Sequence, residues 1–262
     1  MRCGGCLRAA AAAVAFIGLL SAALAQQADD DESVDEAVPA GIDLNSTLPE
    51  NARYLLFAST DIWRHGGFTH GGLLWAPSRL TRSGPVLKLM FGGGVYHYLS
   101  GGLDNADVLG IETAGSIQPG WRIVRESFTA TVFLGADFQR HSLTPDDPTA
   151  GLRGTYAGVR TGFELWVQPT EMTMIAADAS LSSIGPSYNA RLAAGWRALD
   201  MFYVGPEIQG FAADDNYKQI RAGLHITGLR TLDFEWSGGL GWAEDSDHRG
   251  SLYVKLGVYT QR

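Results

Sequence analysis

His141-Ser142 and Ser246-Asp247-His248 set the residue types of a nucleophile, a base and an orienting acid side by side. Hydrolytic or acyl-transfer chemistry needs those groups in mutual reach, usually from separate strands. Both clusters fall in stretches that read as loops, and adjacency within a loop does not supply that geometry. The chain contains no G-x-S-x-G, H-E-x-x-H, G-x-x-x-x-G-K-[ST] or G-x-G-x-x-G. Gly92-Gly93-Gly94 lies inside a strand-like run and is not a phosphate loop. His65 and His70 flank Gly66-Gly67 without a third ligand. Acids gather at Asp104 and Asp107, Asp146 and Asp147, Asp214 and Asp215, and Glu244, Asp245 and Asp247. Their oxygens suit calcium or magnesium by type, but no EF-hand spacing is present. No catalytic residue, metal ligand or cofactor site is assigned.

A second group of polar residues is more ordered. Asp61, Lys88, Glu112, Asp137, Arg160, Glu164, Asp178, Arg191, Glu207, Arg221, Asp233, Glu235 and Lys255 occupy one parity of successive alternating segments. Tyr96, Phe133, Tyr203, Tyr253 and Tyr259 fall on the same parity. Charges of both signs on an inward face must be paired or solvated. Such a set describes either a polar conduit for a hydrophilic solute or a salt-bridged plug that fills a small barrel. The aromatics are either stacking surfaces for sugar rings or lumen filler. Both pairs of readings fit the pattern.

The elements that must carry these residues are strands. In Phe128-Thr-Ala-Thr-Val-Phe-Leu-Gly-Ala-Asp-Phe138, one parity is Phe128, Ala130, Val132, Leu134, Ala136 and Phe138, and the other is largely polar. Period two gives one apolar and one polar face, and aromatics at both ends of the apolar face suit a strand that crosses a membrane. Twelve such segments are expected, near 53–63, 68–76, 85–97, 107–122, 127–139, 153–167, 171–182, 186–197, 201–211, 216–228, 231–242 and 250–260. The connections alternate between tight turns and longer loops, with the stretch near Pro77–Gly84 as an exception. Short periplasmic turns, longer outer loops and an even strand count predict a single antiparallel transmembrane β-barrel of the outer-membrane type. A soluble sandwich gives no reason for that asymmetry.

Residues 1–25 read as a signal peptide. Arg2 and Arg8 are followed by the apolar run Ala9–Leu20, and Ala23-Leu24-Ala25 fits small-x-small cleavage after Ala25. Both cysteines, Cys3 and Cys6, precede the apolar run and leave with it, so disulfides, thiolate zinc and a cysteine nucleophile are excluded from the mature chain. Residues 26–52 read as a disordered acidic periplasmic linker, rich in Asp, Ala and Pro and without aromatics. Residues 53–262 form the barrel. The net charge of −8 becomes −10 once Arg2 and Arg8 are removed, and an acidic chain without a basic stripe argues against nucleic acid.

Four segments carry a family likeness: Phe57-Ala-Ser-Thr-Asp-Ile-Trp-Arg-His-Gly-Gly-Phe68, Gly84-Pro-Val-Leu-Lys-Leu-Met-Phe-Gly-Gly-Gly-Val-Tyr96, Gln118-Pro-Gly-Trp-Arg122 and Ser187-Tyr-Asn-Ala-Arg-Leu-Ala-Ala-Gly-Trp196. From about residue 53 onwards the chain resembles the cellulose biosynthesis protein BcsS family of alphaproteobacteria. The resemblance implies a non-enzymatic outer-membrane accessory of cellulose (exopolysaccharide) production and biofilm in a Gram-negative cell, acting as a conduit or an anchor. Its implied partners are outer-membrane lipid, cellulose and components of the cellulose synthase complex. An outer-membrane hydrolase acting on lipid or glycan, and a general small-solute porin, remain as alternatives.

Overall fold

A computed structural model describes residues 51–213 and 217–262. The expected export signal, nearly all of the acidic tail, and Asp214 and Asp215 lie outside the described residues. The twelve strands are β1 (Tyr54–Trp63), β2 (Gly66–Trp75), β3 (Gly84–Ser100), β4 (Ala106–Val124), β5 (Phe128–Thr144), β6 (Gly154–Thr170), β7 (Thr173–Ser182), β8 (Ser187–Ala198), β9 (Phe202–Ala213), β10 (Tyr217–Thr231), β11 (Phe234–Asp245) and β12 (Gly250–Gln261). Each pairs antiparallel with its sequence neighbours, and β1 pairs with β12 to close the barrel. Closure leaves no sheet edge, which is the condition for crossing hydrocarbon with strands.

Alternation fixes which way each strand faces. On β5, Leu134 is 58% exposed on the outside while Thr131 and Asp137 are 1% exposed inside. The outer surface carries an apolar band, with Ile220, Leu224, Leu240, Leu252 and Leu256 among its exposed residues. Aromatic residues mark one rim: Tyr54, Phe128, Phe202 and Phe234 open their strands there, and Trp75, Trp121, Trp196 and Trp236 stand close by. Such a belt is where rings meet a membrane interface. This rim is also the terminal end, where Arg53 N donates to Arg262 O at 2.8 Å.

Strands β3 and β5 run past the predicted boundaries at the opposite, loop end. Loops expected to start at Tyr98 and Arg140 instead begin after Ser100 and Thr144. The period-two pattern loses its hydrophobic contrast there, but the backbone ladder continues.

The connection between β2 and β3 is the longest at the terminal end, and it does structural work. Ala76 N donates to Arg53 O (2.9 Å), Leu80 N to Ala52 O (2.8 Å), and Arg122 Nε to Leu80 O (3.0 Å). These bonds turn Leu80 into the barrel against Leu74, Val86 and Phe133. A second apolar cluster, Met174, Ala176 and Tyr203 with Trp166, covers another part of the wall at this end.

Two hairpins depart from simple pairing: β6 against β7 shifts register between Val167 and Thr170, and the β10–β11 hairpin does so as well. The register of β10 against β11 shifts between Ile226 and Leu229, and Gly228 sits there at φ +82°. A bulge needs that left-handed backbone, which glycine supplies without strain. β10 therefore runs on to Thr231, and the turn falls at Leu232-Asp233.

Candidate functional site, the polar lumen

The inward faces meet in a belt of opposed charges. Lys88, Arg160, Arg191, Arg221 and Lys255 face Asp61, Asp137, Glu164, Asp178 and Glu207, five of each sign. Arg221 on β10 is 1% exposed and donates to Asp61 on β1 and to Gln219. Its guanidinium also lies over three rings: Trp63 at 4.8 Å, Phe211 at 5.0 Å and Tyr253 at 5.2 Å. Desolvated cation–π contacts of this kind contribute about 2 kcal/mol or more.

The network continues from that cage. Tyr253 on β12 donates its hydroxyl to Glu207 Oε1 on β9 (2.9 Å). Glu207 Oε2 accepts from Arg191 Nε (2.8 Å), and Arg191 reaches Asp178 at 3.5 Å. Asp178, Arg191, Glu207, Tyr253, Arg221 and Asp61 thus form one contiguous chain of contacts across the lumen. Lys255 sits in the field of Asp61, Asp178 and Glu207. It makes no direct ion pair among the described residues, and Asp61 Oδ1 likewise has no hydrogen-bond partner there.

A second crossing lies on the far side. Lys88 Nζ on β3 donates to Glu164 Oε1 on β6 (2.6 Å), between the rings of Phe57 (5.7 Å) and Phe133 (5.0 Å). Asp137 Oδ2 accepts from Arg160 Nη2 (3.0 Å), Ser182 Oγ (2.5 Å) and Gln139 Nε2 (2.9 Å). Gln139 leads on to His141 (3.2 Å) and His141 to the Tyr96 hydroxyl (3.4 Å). Buried charges supported by such additional hydrogen bonds meet the requirement that desolvation imposes.

The structure brings most of the expected polar residues together and separates others. Glu112 faces the lumen within the field of Arg160 and Asp137. Glu235 lies lower, bonded by Arg230 at 3.2 Å. Tyr253 belongs to the belt, Tyr96 stands toward the loop end stacked on Tyr98, and Tyr203 packs at the terminal end against Trp166. Asp233 is corrected: it was expected on a strand facing inward, but it occupies the β10–β11 turn, exposed, 3.5 Å from Arg262. The bulge that lengthens β10 moves it there. Trp63, Phe57 and Phe211, which flank the buried cations, were not anticipated. Trp63 and Phe57 share the parity of Asp61, and Phe211 shares that of Glu207, so the alternation could have found all three.

The hydrolase-like clusters do not assemble. His141 faces inward and Ser142 outward on the same strand. In the β11–β12 turn, Asp247 pairs with Arg249 (3.0 Å), and His248 is exposed. Among the described residues no three His, Cys, Asp or Glu side chains converge as a metal set.

At the loop end, Asp147 is a fastening point. Its Oδ1 accepts from Thr149 N (2.9 Å) and Thr149 Oγ1 (2.7 Å), and its Oδ2 from the Tyr98 hydroxyl (2.9 Å). Hydrogen bonds from the Ser100 and Thr149 side chains hold its carboxyl well below the usual carboxylate range. Partial burial, with Arg249 nearby, lowers the His65 imidazole in the β1–β2 turn.

A family model described as "Cellulose biosynthesis protein BcsS" matches residues 55–262. No curated protein matches the chain. Among solved structures, the TodX deltaS2S3 mutant, a monoaromatic hydrocarbon channel, aligns at 9% identity over 85% of this chain and 92% of its own, with a TM-score of 0.50. The COG4313 outer membrane channel from Pseudomonas putida F1 aligns at 13% identity over 88% and 100%, with a TM-score of 0.49. The translocator domain of autotransporter NalP from Neisseria meningitidis aligns at 11% over 95% and 99%, with a TM-score of 0.45. At such identities the likeness concerns the outer-membrane barrel fold alone.

Proposed function

The chain belongs to the cellulose biosynthesis protein BcsS family, and from that membership we propose that it is a non-enzymatic outer-membrane accessory of cellulose production that works as an anchor with a closed lumen. The observation that carries the closed state is the chain of contacts from Asp178 to Asp61, with the Lys88–Glu164 crossing beside it. Both link strands that are not neighbours in the barrel. A neutral glucan passing through would have to displace buried, hydrogen-bonded charges, and that desolvation imbalance costs several kcal/mol for each pair broken.

In this reading the signal is cleaved after Ala25, and residues 26–52 serve as a periplasmic linker. The outward apolar face contacts outer-membrane lipid, and the tail or terminal rim engages cellulose or components of the cellulose synthase complex. Support for a non-enzymatic role comes from the opposed faces of His141 and Ser142 and from the exposed turn position of His248.

The test is deletion of the reading frame, scored by cellulose-dependent dye binding and biofilm mass. Reduced or mislocalised cellulose is expected, restored by the wild-type chain. Unaltered cellulose output overturns the reading.

A further inference from the structure

Five arginines gather at the terminal rim, around the connection between β2 and β3. Arg79 and Arg82 lie in that connection, Arg53 precedes β1, Arg122 stands near the end of β4, and Arg125 opens the β4–β5 turn. Short contacts draw them together. Leu80 N donates to Ala52 O (2.8 Å), which brings the flanking Arg79 and Arg53 to one place, and Arg82 N donates to Arg79 O (3.1 Å). Ser83 Oγ accepts from Val124 N (2.9 Å) and from Arg125 Nη1 (3.5 Å), so the residue after Arg82 is tied to the β4–β5 turn. Gly84 pairs with Arg122, whose Nε donates to Leu80 O.

The charge at this place is one-sided. Glu126 is the one acid among residues 76–84 and 125–127, so five cations meet one carboxylate in a chain whose net charge is −8. In the lumen, by contrast, cations and acids match in number. The side chains of Arg53, Arg79 and Arg82 make no hydrogen bond or ion pair among the described residues. Like charges held this close repel one another until a counter-charge settles on them.

The depth of the patch indicates what that counter-charge is. Tyr54 lies opposite Trp75, and Pro85 opposite Trp121, on the lipid side of their strands; Trp121 is 53% exposed. Arg53 is the next residue beyond Tyr54, and the β2–β3 connection begins directly after Trp75. Ile123 and Arg125 continue the outward parity of Trp121. Belt aromatics sit at headgroup level, so guanidinium groups one step farther from the hydrocarbon lie at the height of lipid phosphates. A guanidinium meets a phosphate with two parallel hydrogen bonds and gives up its water more readily than an ammonium.

We propose that this arginine patch is a docking surface for the headgroup of an anionic phospholipid in the leaflet at the terminal rim. The proposal rests on the outer-membrane reading above and names the lipid class that the barrel engages there. A zwitterionic headgroup brings its own cation, which the patch repels. An acidic segment of a partner protein has the right charge, but it has no reason to meet a patch at the height of the aromatic belt.

The experiment uses the full mature chain in detergent, titrated with phosphatidylglycerol or with phosphatidylcholine of the same acyl chains, and bound lipid is counted by native mass spectrometry. Folding of each variant is checked by heat-modifiability. Saturable retention of phosphatidylglycerol in preference to phosphatidylcholine is expected, weakening as salt rises. Arg79→Gln with Arg82→Gln, which breaks no side-chain bond among the described residues, should weaken it about thirtyfold, about fivefold for each arginine near an anionic surface multiplied by a further small gain at the shared headgroup. Arg140→Gln with Lys218→Gln removes the same charge at the loop end and should leave retention unchanged. Equal retention of the two lipids, wild-type retention in the folded Arg79→Gln, Arg82→Gln protein, or an equal loss in the loop-end variant overturns the lipid site. Soluble polyglutamate that binds the patch while the two lipids are retained equally also overturns it and assigns the surface to an acidic partner segment. If lipid preference fails while deletion of the reading frame still alters cellulose, the lipid site alone is wrong. If the preference holds while deletion changes nothing, the cellulose reading is wrong and the lipid site stands.

Discussion

Arg221 and Asp61 join two strands that never pair: β11 and β12 lie between β10 and β1, yet the guanidinium and the carboxylate meet inside the barrel. Both groups belong to the belt of opposed charges that crosses the lumen. The contact works as a strut, and removing either end leaves the other charge stranded.

Thermal unfolding in detergent should therefore show an asymmetry. Arg221→Ala and Asp61→Ala are each expected to cost about 3–5 kcal/mol, the range for breaking a buried pair. The paired replacement Arg221→Met with Asp61→Leu should recover much of that loss. A double replacement as unstable as the sum of the singles would show that the pair is not a strut.

Planar-bilayer recordings test the closed lumen. The wild-type protein is expected to show no steady open state. Lys88→Ala combined with Arg221→Ala should introduce conductance, because both crossings then lose their long cationic side chains. A wild-type protein that conducts steadily would return the lumen to the status of a conduit.

Facing is tested at one height on two surfaces. Leu134→Arg places a charge on the lipid face, where an arginine near the midplane costs about 2–4 kcal/mol. Ser180→Arg faces inward beside Asp178 and opposite Gly162, and it should be tolerated far better. Folded yield on a heat-modifiability gel is the readout, and equal behaviour of the two would contradict the assigned faces.

The Asp147 clamp has a defined pH response. Its carboxyl is held below the ordinary value, so the clamp's stabilisation is present above an unfolded value of about 3.9. It is lost only as pH falls through the lower folded value. Limited proteolysis of the loop at 145–153 should thus be flat from neutral pH down to mild acid. Asp147→Asn should raise cleavage already at neutral pH, because the charged acceptor of the Thr149 and Tyr98 bonds is gone.

The strand alternation was legible because each strand has two solvents, lipid and lumen, and each solvent selects its own residue types. Val132 and Leu134 could only face out, and Asp137 only in. Strand ends were harder to read. Past the lipid band the outward residues turn polar, as Arg140 and Ser142 do on β5, and the alternation fades while the ladder goes on. The charges were readable one by one, but their partners were not. Nothing in the local sequence around Lys88 names Glu164, because the pair depends on the tilt and closure of the whole sheet. Asp233 was misplaced for a related reason: the bulge at Gly228 accompanies a β10 that runs on to Thr231, so β11 starts at Phe234 and Asp233 falls in the turn, and a glycine among several carries no local mark that distinguishes it.

The first strand and the last strand are each other's partners, with Leu55 opposite Gln261 and Trp63 opposite Tyr253. During synthesis and export the N-terminal edge of β1 must therefore wait, unpaired, until the final residues emerge. That seam has the longest contact order in the molecule, and its closure bears the largest loop entropy. Until then β1 is an open edge that invites intermolecular pairing. The same proximity makes the chain a ready substrate for circular permutation: joining residues 53 and 262 and reopening at the β7–β8 loop would move the seam without changing a single inward or outward side chain.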